Sequence, residues 1–228
     1  MGAAKPSTDV QDGAHLSNPS RAILRLVATS QETELVHIHR EIDGCTICKA
    51  GVDGFQKPKP LDRGAVGRIM VIGEGPGKSE LNSGRAFAGQ SGRRLEGWLV
   101  AAGAPRDDPR QGIYFTSVLK CFCPASKDFK GMARNCSGFL DRQLQTIKPE
   151  LVVTLGSKAF QRLHFTEDEF DRAACNPYYT GDEVLLTDYG FHFWVLHLPH
   201  PSGVNRWHNH EANRKKLSSA LKFVTRFL

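Results

Sequence analysis

Four short apolar runs, each separated from the next by a helical pattern, restrict this chain to a small set of folds. The runs are Arg68 to Gly73, Ile113 to Val118, Leu151 to Leu155 and Phe193 to His197. They have strand length and do not alternate apolar with polar residues, which marks strands covered on both faces. Helical patterns lie between them, at Ser91 to Ala102, Gly131 to Ile147 and Ser157 to about Leu163. A last helix is expected from about Asn209 to Phe227 with Leu217, Leu221 and Val224 facing inward, and Arg21 to about His39 predicts one or two more. This alternation predicts an α/β fold: a three-layer α/β/α sandwich around a central parallel sheet of about four strands. Ligands of such sheets sit beyond the carboxyl ends of the strands. The loops after Ile72, Val118 and Leu198 are therefore expected to converge on a site.

The length of 228 residues suits one domain, expected over 21–228 after a flexible polar tail at 1–20. Gly51 to Gly67 reads as a connecting loop. Thirty Lys and Arg against 24 Asp and Glu leave a net charge of +6, which favours a polyanionic partner through phosphate contacts and counterion release. No stretch approaches the roughly 20 apolar residues that cross a bilayer, and Met1 to Pro19 lacks the apolar core of a secretory signal. A monomer in the reducing cytoplasm, with no membrane partner, is expected. In that compartment the six cysteines are better explained as metal ligands, reactive thiols or core residues than as disulfides.

Gly73-Glu-Gly-Pro-Gly-Lys-Ser79 follows the first run and invites a nucleotide-binding reading. The spacing rejects it. A Walker loop requires a glycine where Ile72 stands, and the dinucleotide fingerprint requires its third glycine at Lys78.

Gly73 to Gly77, Gly84-Arg-Ala-Phe-Ala-Gly89 and Ser91-Gly-Arg-Arg-Leu95 together resemble the first motif block of the family-four, iron-sulfur-containing uracil-DNA glycosylases. Thr116-Ser-Val-Leu-Lys-Cys121 and Lys148 to Gly156 resemble two of that family's strands, and His200-Pro-Ser-Gly203 resembles its second catalytic motif. The blocks occur in the family's order from about Cys45 to Phe223. The resemblance implies an enzyme that hydrolyses the N-glycosidic bond of flipped-out uracil in DNA and leaves an abasic site. Its partner would be uracil-containing DNA and its place the cytoplasm, at the bacterial nucleoid during repair. Two alternatives stay open: a broader glycosylase of deaminated bases such as hypoxanthine and xanthine, and a non-catalytic iron-sulfur module that binds nucleic acid.

The resemblance also assigns roles. Cys45, Cys48, Cys121 and Cys136 match ligands of a structural 4Fe-4S cluster, with Cys123 as a rival for the third place. Zinc is the alternative, since a C-x-x-C pair with His37 and His39 upstream also suits that ion. Breaking the glycosidic bond leaves negative charge on the O2 of the departing base. His200 is expected to donate to that oxygen. The attacking water is expected to be held by backbone or by Glu74, because Gly75 stands where the superfamily's best-known branch has an aspartate; Glu80 and Asn82 are nearby substitutes. Phe87 would stack on the base, with the backbone of Gly75 and Gly77 lining the pocket. Ser117 replaces the asparagine with which the family reads the uracil edge, so either another side chain such as Asn82 supplies the missing amide or other deaminated bases are accepted. Ser202, Asn205, Arg206, Trp207 and Arg85 are expected to touch DNA, Arg206, Trp207 or Val204 filling the gap left by the flipped base. Lys78, Arg93, Arg94 and Lys120 are further candidates for phosphate contacts.

Overall fold

A computed structural model of the chain describes residues 19–48, 64–122, 129–163, 173–181 and 189–228, with side chains from residue 30 onward. Residues 1–18 of the tail expected over 1–20, most of the Gly51 to Gly67 connector and Cys123 lie outside the described residues; the last two residues of that expected tail, Pro19 and Ser20, instead begin the first helix.

All four apolar runs form strands of one sheet. These are β1 (Ile69–Gly73), β2 (Ile113–Ser117), β3 (Leu151–Leu155) and β5 (Trp194–Leu198), which pair in parallel. A fifth, two-residue strand, β4 (Tyr178–Tyr179), adds an antiparallel edge beside β5. It was not expected, because two residues are too short to show a period. The order is β2-β1-β3-β5-β4. The chain therefore leaves β1 for one side and returns to its other side as β3, which makes the carboxyl end of β1 the switch point where such sheets open a crevice.

The strands alternate between two cores, as the pleat requires. Met70, Ile72, Tyr114 and Val152 pack on one face under α1 (Pro19–Gly44) and α4 (Phe129–Ile147). Ile69, Val71, Phe115 and Val153 pack on the other, under α3 (Gln90–Ala101) and α6 (Glu211–Val224). These are the three expected layers. The short helices α2 (Lys78–Ser83) and α5 (Ser157–Gln161) follow β1 and β3. Residues 21–39 belong to one helix rather than two, and the final helix starts at Glu211 after a 3-10 turn over Arg206–Asn209. Among the described residues no helix is long and apolar enough to cross a membrane.

Candidate active site

The loop after β1, the end of β2 and the turn after β5 enclose a cleft of about 210 Å³. That is smaller than the roughly 300–1,000 Å³ of pockets for drug-sized ligands and suits one planar ring system. Glu74, Gly75, Gly77, Phe87, Ser117 and His200 all line it.

Phe87 is held by absences. An added Cβ on Gly73 would stand 2.7 Å from the Phe87 ring, and one on Gly92 would lie 1.7 Å from the Phe87 carbonyl oxygen. Phe87 itself adopts a left-handed backbone with φ 51°, and its ring meets Phe115 edge-on at 5.8 Å. A bulky residue in that conformation is strained, so packing from both sides must hold it there.

Glu80 organises the surrounding loops. Its carboxylate accepts the backbone N–H of Gly77 at 2.9 Å and those of Ala88 and Gly89 at 2.9 and 3.3 Å. The first bond is the half of a capping box that a glycine N-cap permits. With both oxygens engaged, Glu80 joins the β1 turn to the Phe87 segment rather than serving as a loose substitute for Glu74. Asn82, in contrast, is exposed on α2 and does not line the cleft.

His200 packs over Gly156, whose φ of 82° puts it in the left-handed region that favours glycine and whose missing Cβ would stand 3.1 Å from the His200 Cβ. The His200 carbonyl accepts from Asn205 Nδ2 at 3.0 Å, and His208 Nε2 lies 3.3 Å from it. Burial lowers the His200 pKa below its ordinary 6.5; the Glu74 charge opposes this and His208 adds to it. The imidazole is therefore neutral at neutral pH, able to donate one N–H without carrying a buried charge.

At the end of β2 the side chains form a closed polar cluster. Ser117 Oγ donates to the Leu119 carbonyl at 2.6 Å, so its hydrogen is not available to a ligand. Lys120 is not a surface phosphate contact, for only 5% of it is exposed and it lines the cleft. Its ammonium donates to Thr116 Oγ1, the Ser117 carbonyl and Gln143 Oε1 at 2.6–2.8 Å. Sequence reasoning missed Thr116, Ser91, Phe115 and Ala86 as lining residues. Ala86, Ser91 and Thr116 stand inside the motif blocks and Phe115 directly before one, which was the one signal they carried.

The expected DNA contacts take two forms. Arg206, Val204 and Arg85 are exposed, Val204 at 89%, although Arg85 already pairs with Glu96 at 3.2 Å. Asn205 caps the 3-10 turn by accepting from the Trp207 N–H at 3.0 Å, Trp207 is half-buried against the core, and the Ser202 carbonyl takes a bond from Arg94 at 2.9 Å. These last residues shape the loop that carries Val204 and Arg206 outward.

The four cysteines come from the end of α1 and the turn after it, the β2–α4 connection and α4. Cys48, Cys121 and Cys136 are buried and Cys45 is half-buried. Burial raises the Cys136 pKa, the Lys120 backbone N–H donates to its sulfur, and the charges of Cys48 and Cys45 reach it. Asn135 Nδ2 donates to Cys48 Sγ at 3.4 Å. Among the described residues no group of three His, Cys, Asp or Glu side chains is placed to hold a single metal ion.

A mainly parallel sheet with a ring-sized cleft at its switch point, walled by a glycine turn, an aromatic ring and a neutral histidine, defines a three-layer α/β protein with a single-ring pocket. The chain belongs to the uracil DNA glycosylase superfamily, whose family model matches residues 64–224. Curated relatives are named type-4 uracil-DNA glycosylases. That of Archaeoglobus fulgidus is 35% identical over 129 residues, 54% of this chain and 60% of the relative. That of Sulfurisphaera tokodaii is 34% identical over 130 residues, 54% of each chain. That of Saccharolobus solfataricus is 28% identical over 169 residues, 71% of this chain and 73% of the relative. The match thus spans little more than half the length of the first two. A crystal structure of wild-type UNG from Nitratifractor salsuginis overlaps with a TM-score of 0.37 at 13% identity, over 70% of this chain and 72% of that one.

Proposed function

We propose that the protein hydrolyses the N-glycosidic bond of uracil flipped out of DNA, releasing the free base and leaving an abasic site. The observation that carries this reading is the placement of His200 on the same cleft as Phe87 and the Gly75 to Gly77 turn. A base stacked on Phe87 is removed from the duplex at a cost of a few kcal/mol. The neutral His200 imidazole donates to its O2 as charge develops there, an interaction strengthened by exclusion of water. Glu74, exposed at the mouth and close enough for its charge to reach His200, holds the water that adds to the sugar carbon. Exposed Arg206 and Arg93 meet phosphates, and Val204 enters the vacated base stack. The substrate partner is DNA, bound by a monomer in the cytoplasm at the nucleoid; the net charge of +6 supports the choice of DNA.

A broader range of deaminated bases is favoured by Ser117. Its donor is committed to Leu119, so it presents only lone pairs. Uracil, hypoxanthine and xanthine all offer a ring N–H to such an acceptor, whereas cytosine offers a bare nitrogen.

Cys45, Cys48, Cys121 and Cys136 fit a 4Fe-4S cluster: the donors are all sulfur, three are buried, and the charges of Cys45 and Cys48 both reach Cys136. When bound, the cluster supplies a structural crosslink between the end of α1 and α4.

Purified protein incubated with oligonucleotides carrying uracil, hypoxanthine or xanthine, then treated with alkali, tests the reading. Scission at uracil and at one or both purines is expected. Absence of scission at every base would instead identify a non-catalytic nucleic-acid module.

A further inference from the structure

We propose that His208 and Asn205 are positioning residues that act through His200: both hold its carbonyl, and so tie the loop that meets DNA to the imidazole that meets the departing base. The inference rests on the glycosylase reading above.

Hydrogen-bond chemistry assigns each role. The His200 carbonyl can only accept, so the His208 Nε2 that lies 3.3 Å from it carries a hydrogen. Asn205 Nδ2 donates to the same oxygen at 3.0 Å, while Asn205 Oδ1 accepts the Trp207 N–H at 3.0 Å. The Asn205 amide is therefore oriented from both ends, and the carbonyl oxygen has lone pairs for both of its donors. Together these bonds close residues 200–208 into a ring. Its outer tip carries Val204, exposed at 89%, and exposed Arg206.

The ring is docked on two helices. From α3, Arg94 donates to the Ser202 carbonyl at 2.9 Å, and Trp98 meets the His208 ring at 5.3 Å. From α6, Asn213 donates to the Trp207 carbonyl at 2.9 Å and Arg214 to that of Asn209 at 2.8 Å. Pro199 and Pro201 flank His200 and stiffen its backbone. A push on Val204 or Arg206 therefore reaches residue 200 through the closed ring instead of being absorbed by a free loop. Such anchoring matters to chemistry, because a misplacement of about 1 Å at a reacting group costs on the order of a hundredfold in rate.

The same bonds could serve only to shape the loop, and His200→Ala separates the two roles. It retains the backbone carbonyl, and with it both bonds, and loses only the imidazole. The measurement is single-turnover release of uracil from a duplex with one uracil, at saturating enzyme, where the rate constant does not depend on how much of a variant folds. His208→Phe keeps a ring beside Trp98 but removes the donor, and is expected to be about tenfold slower than wild type, as for one lost hydrogen bond. His208→Gln restores a donor and should return to within about threefold of wild type. Asn205→Asp keeps the acceptor for the Trp207 N–H and removes the other donor; it should also be about tenfold slower, and keeps the test open where His208→Phe does not fold. Added to His200→Ala, either His208→Phe or Asn205→Asp should cost less than about twofold more, because the group through which they act is gone. A full tenfold loss in the His200→Ala background, a His208→Phe rate equal to wild type, or a His208→Gln as slow as His208→Phe overturns the inference. A wild type that releases no uracil refutes the glycosylase reading itself, a result distinct from those three.

Discussion

At the scale of single residues, burial sets the chemistry of His200 and hydrogen bonding sets that of Ser117. The folded His200 binds a proton less readily than the unfolded chain does, with desolvation as the main cause. Between the lowered value and the ordinary 6.5 the unfolded state carries more protons, so stability is complete above about 6.5 and declines as pH falls through that window. Half-buried His208 shifts in the same direction, again chiefly through desolvation. Thermal melting between neutral pH and about pH 5 should show this decline. In His200→Gln the decline should be shallower; an unchanged slope would remove His200 as a cause. Ser117→Asn should add an amide to the β2 wall and raise the preference for uracil over hypoxanthine by about tenfold, the worth of one well-placed hydrogen bond. Competition between the two substrates measures it. Both residues were legible as motif positions, but their states were not. The lowered His200 pKa and the commitment of the Ser117 hydroxyl to Leu119 depend on neighbours that no sequence window contains.

Among the elements, the β1 turn, α2 and the start of α3 act as one unit because Glu80 and Phe87 join them. A methyl group at Gly92 would strike the Phe87 carbonyl. Gly92→Ala should therefore cost about 1–3 kcal/mol of stability, the usual range for overpacking, and weaken base binding as the platform shifts. A melting midpoint and KM within error of wild type would show that the segment yields freely. On the other face α1 and α4 are joined by Arg142, which bonds Glu41 at 2.6 Å and Glu34 at 3.0 Å, and the proposed cluster would tie Cys136 of α4 to the turn after α1. Fresh protein should be brown with visible absorption, and Cys136→Ala should lose the colour and melt several degrees lower. Colourless protein with bound zinc would instead establish the other metal. The four principal strands were readable from apolar runs because both faces of the sheet are covered. Asn82 was misjudged because sequence proximity to the glycine turn does not say which way a short helix points, and Lys120 because one lysine among many cations looks like surface until its three buried acceptors are seen.

In the whole molecule, two helical layers leave the carboxyl edge of the sheet open, and exposed Arg93, Arg206 and Lys78 are carried on the elements that border the cleft. Every phosphate that the protein ceases to neutralise should reduce the slope of log affinity against log salt by about 0.9 on duplex DNA. Arg206→Ala and Arg93→Ala are each expected to do so, with DNA affinity titrated across salt concentrations as the measurement; an unchanged slope would remove that residue from the interface. The layer order and the position of the cleft followed from the strand–helix alternation, since an open parallel sheet has one place for a ligand. The strand order around β1 and the edge strand β4 came only with the fold, because pairing partners are set by long-range packing. The proposed function turns at this scale on one contact, that between the His200 imidazole and the oxygen of a departing base. The rate of free uracil release from a single-uracil oligonucleotide under single-turnover conditions tests it most directly. Measurable release by the wild type and a loss of about a hundredfold or more in His200→Ala, with DNA binding retained, are the expected results, whereas equal rates in the two proteins would contradict the assigned role of His200.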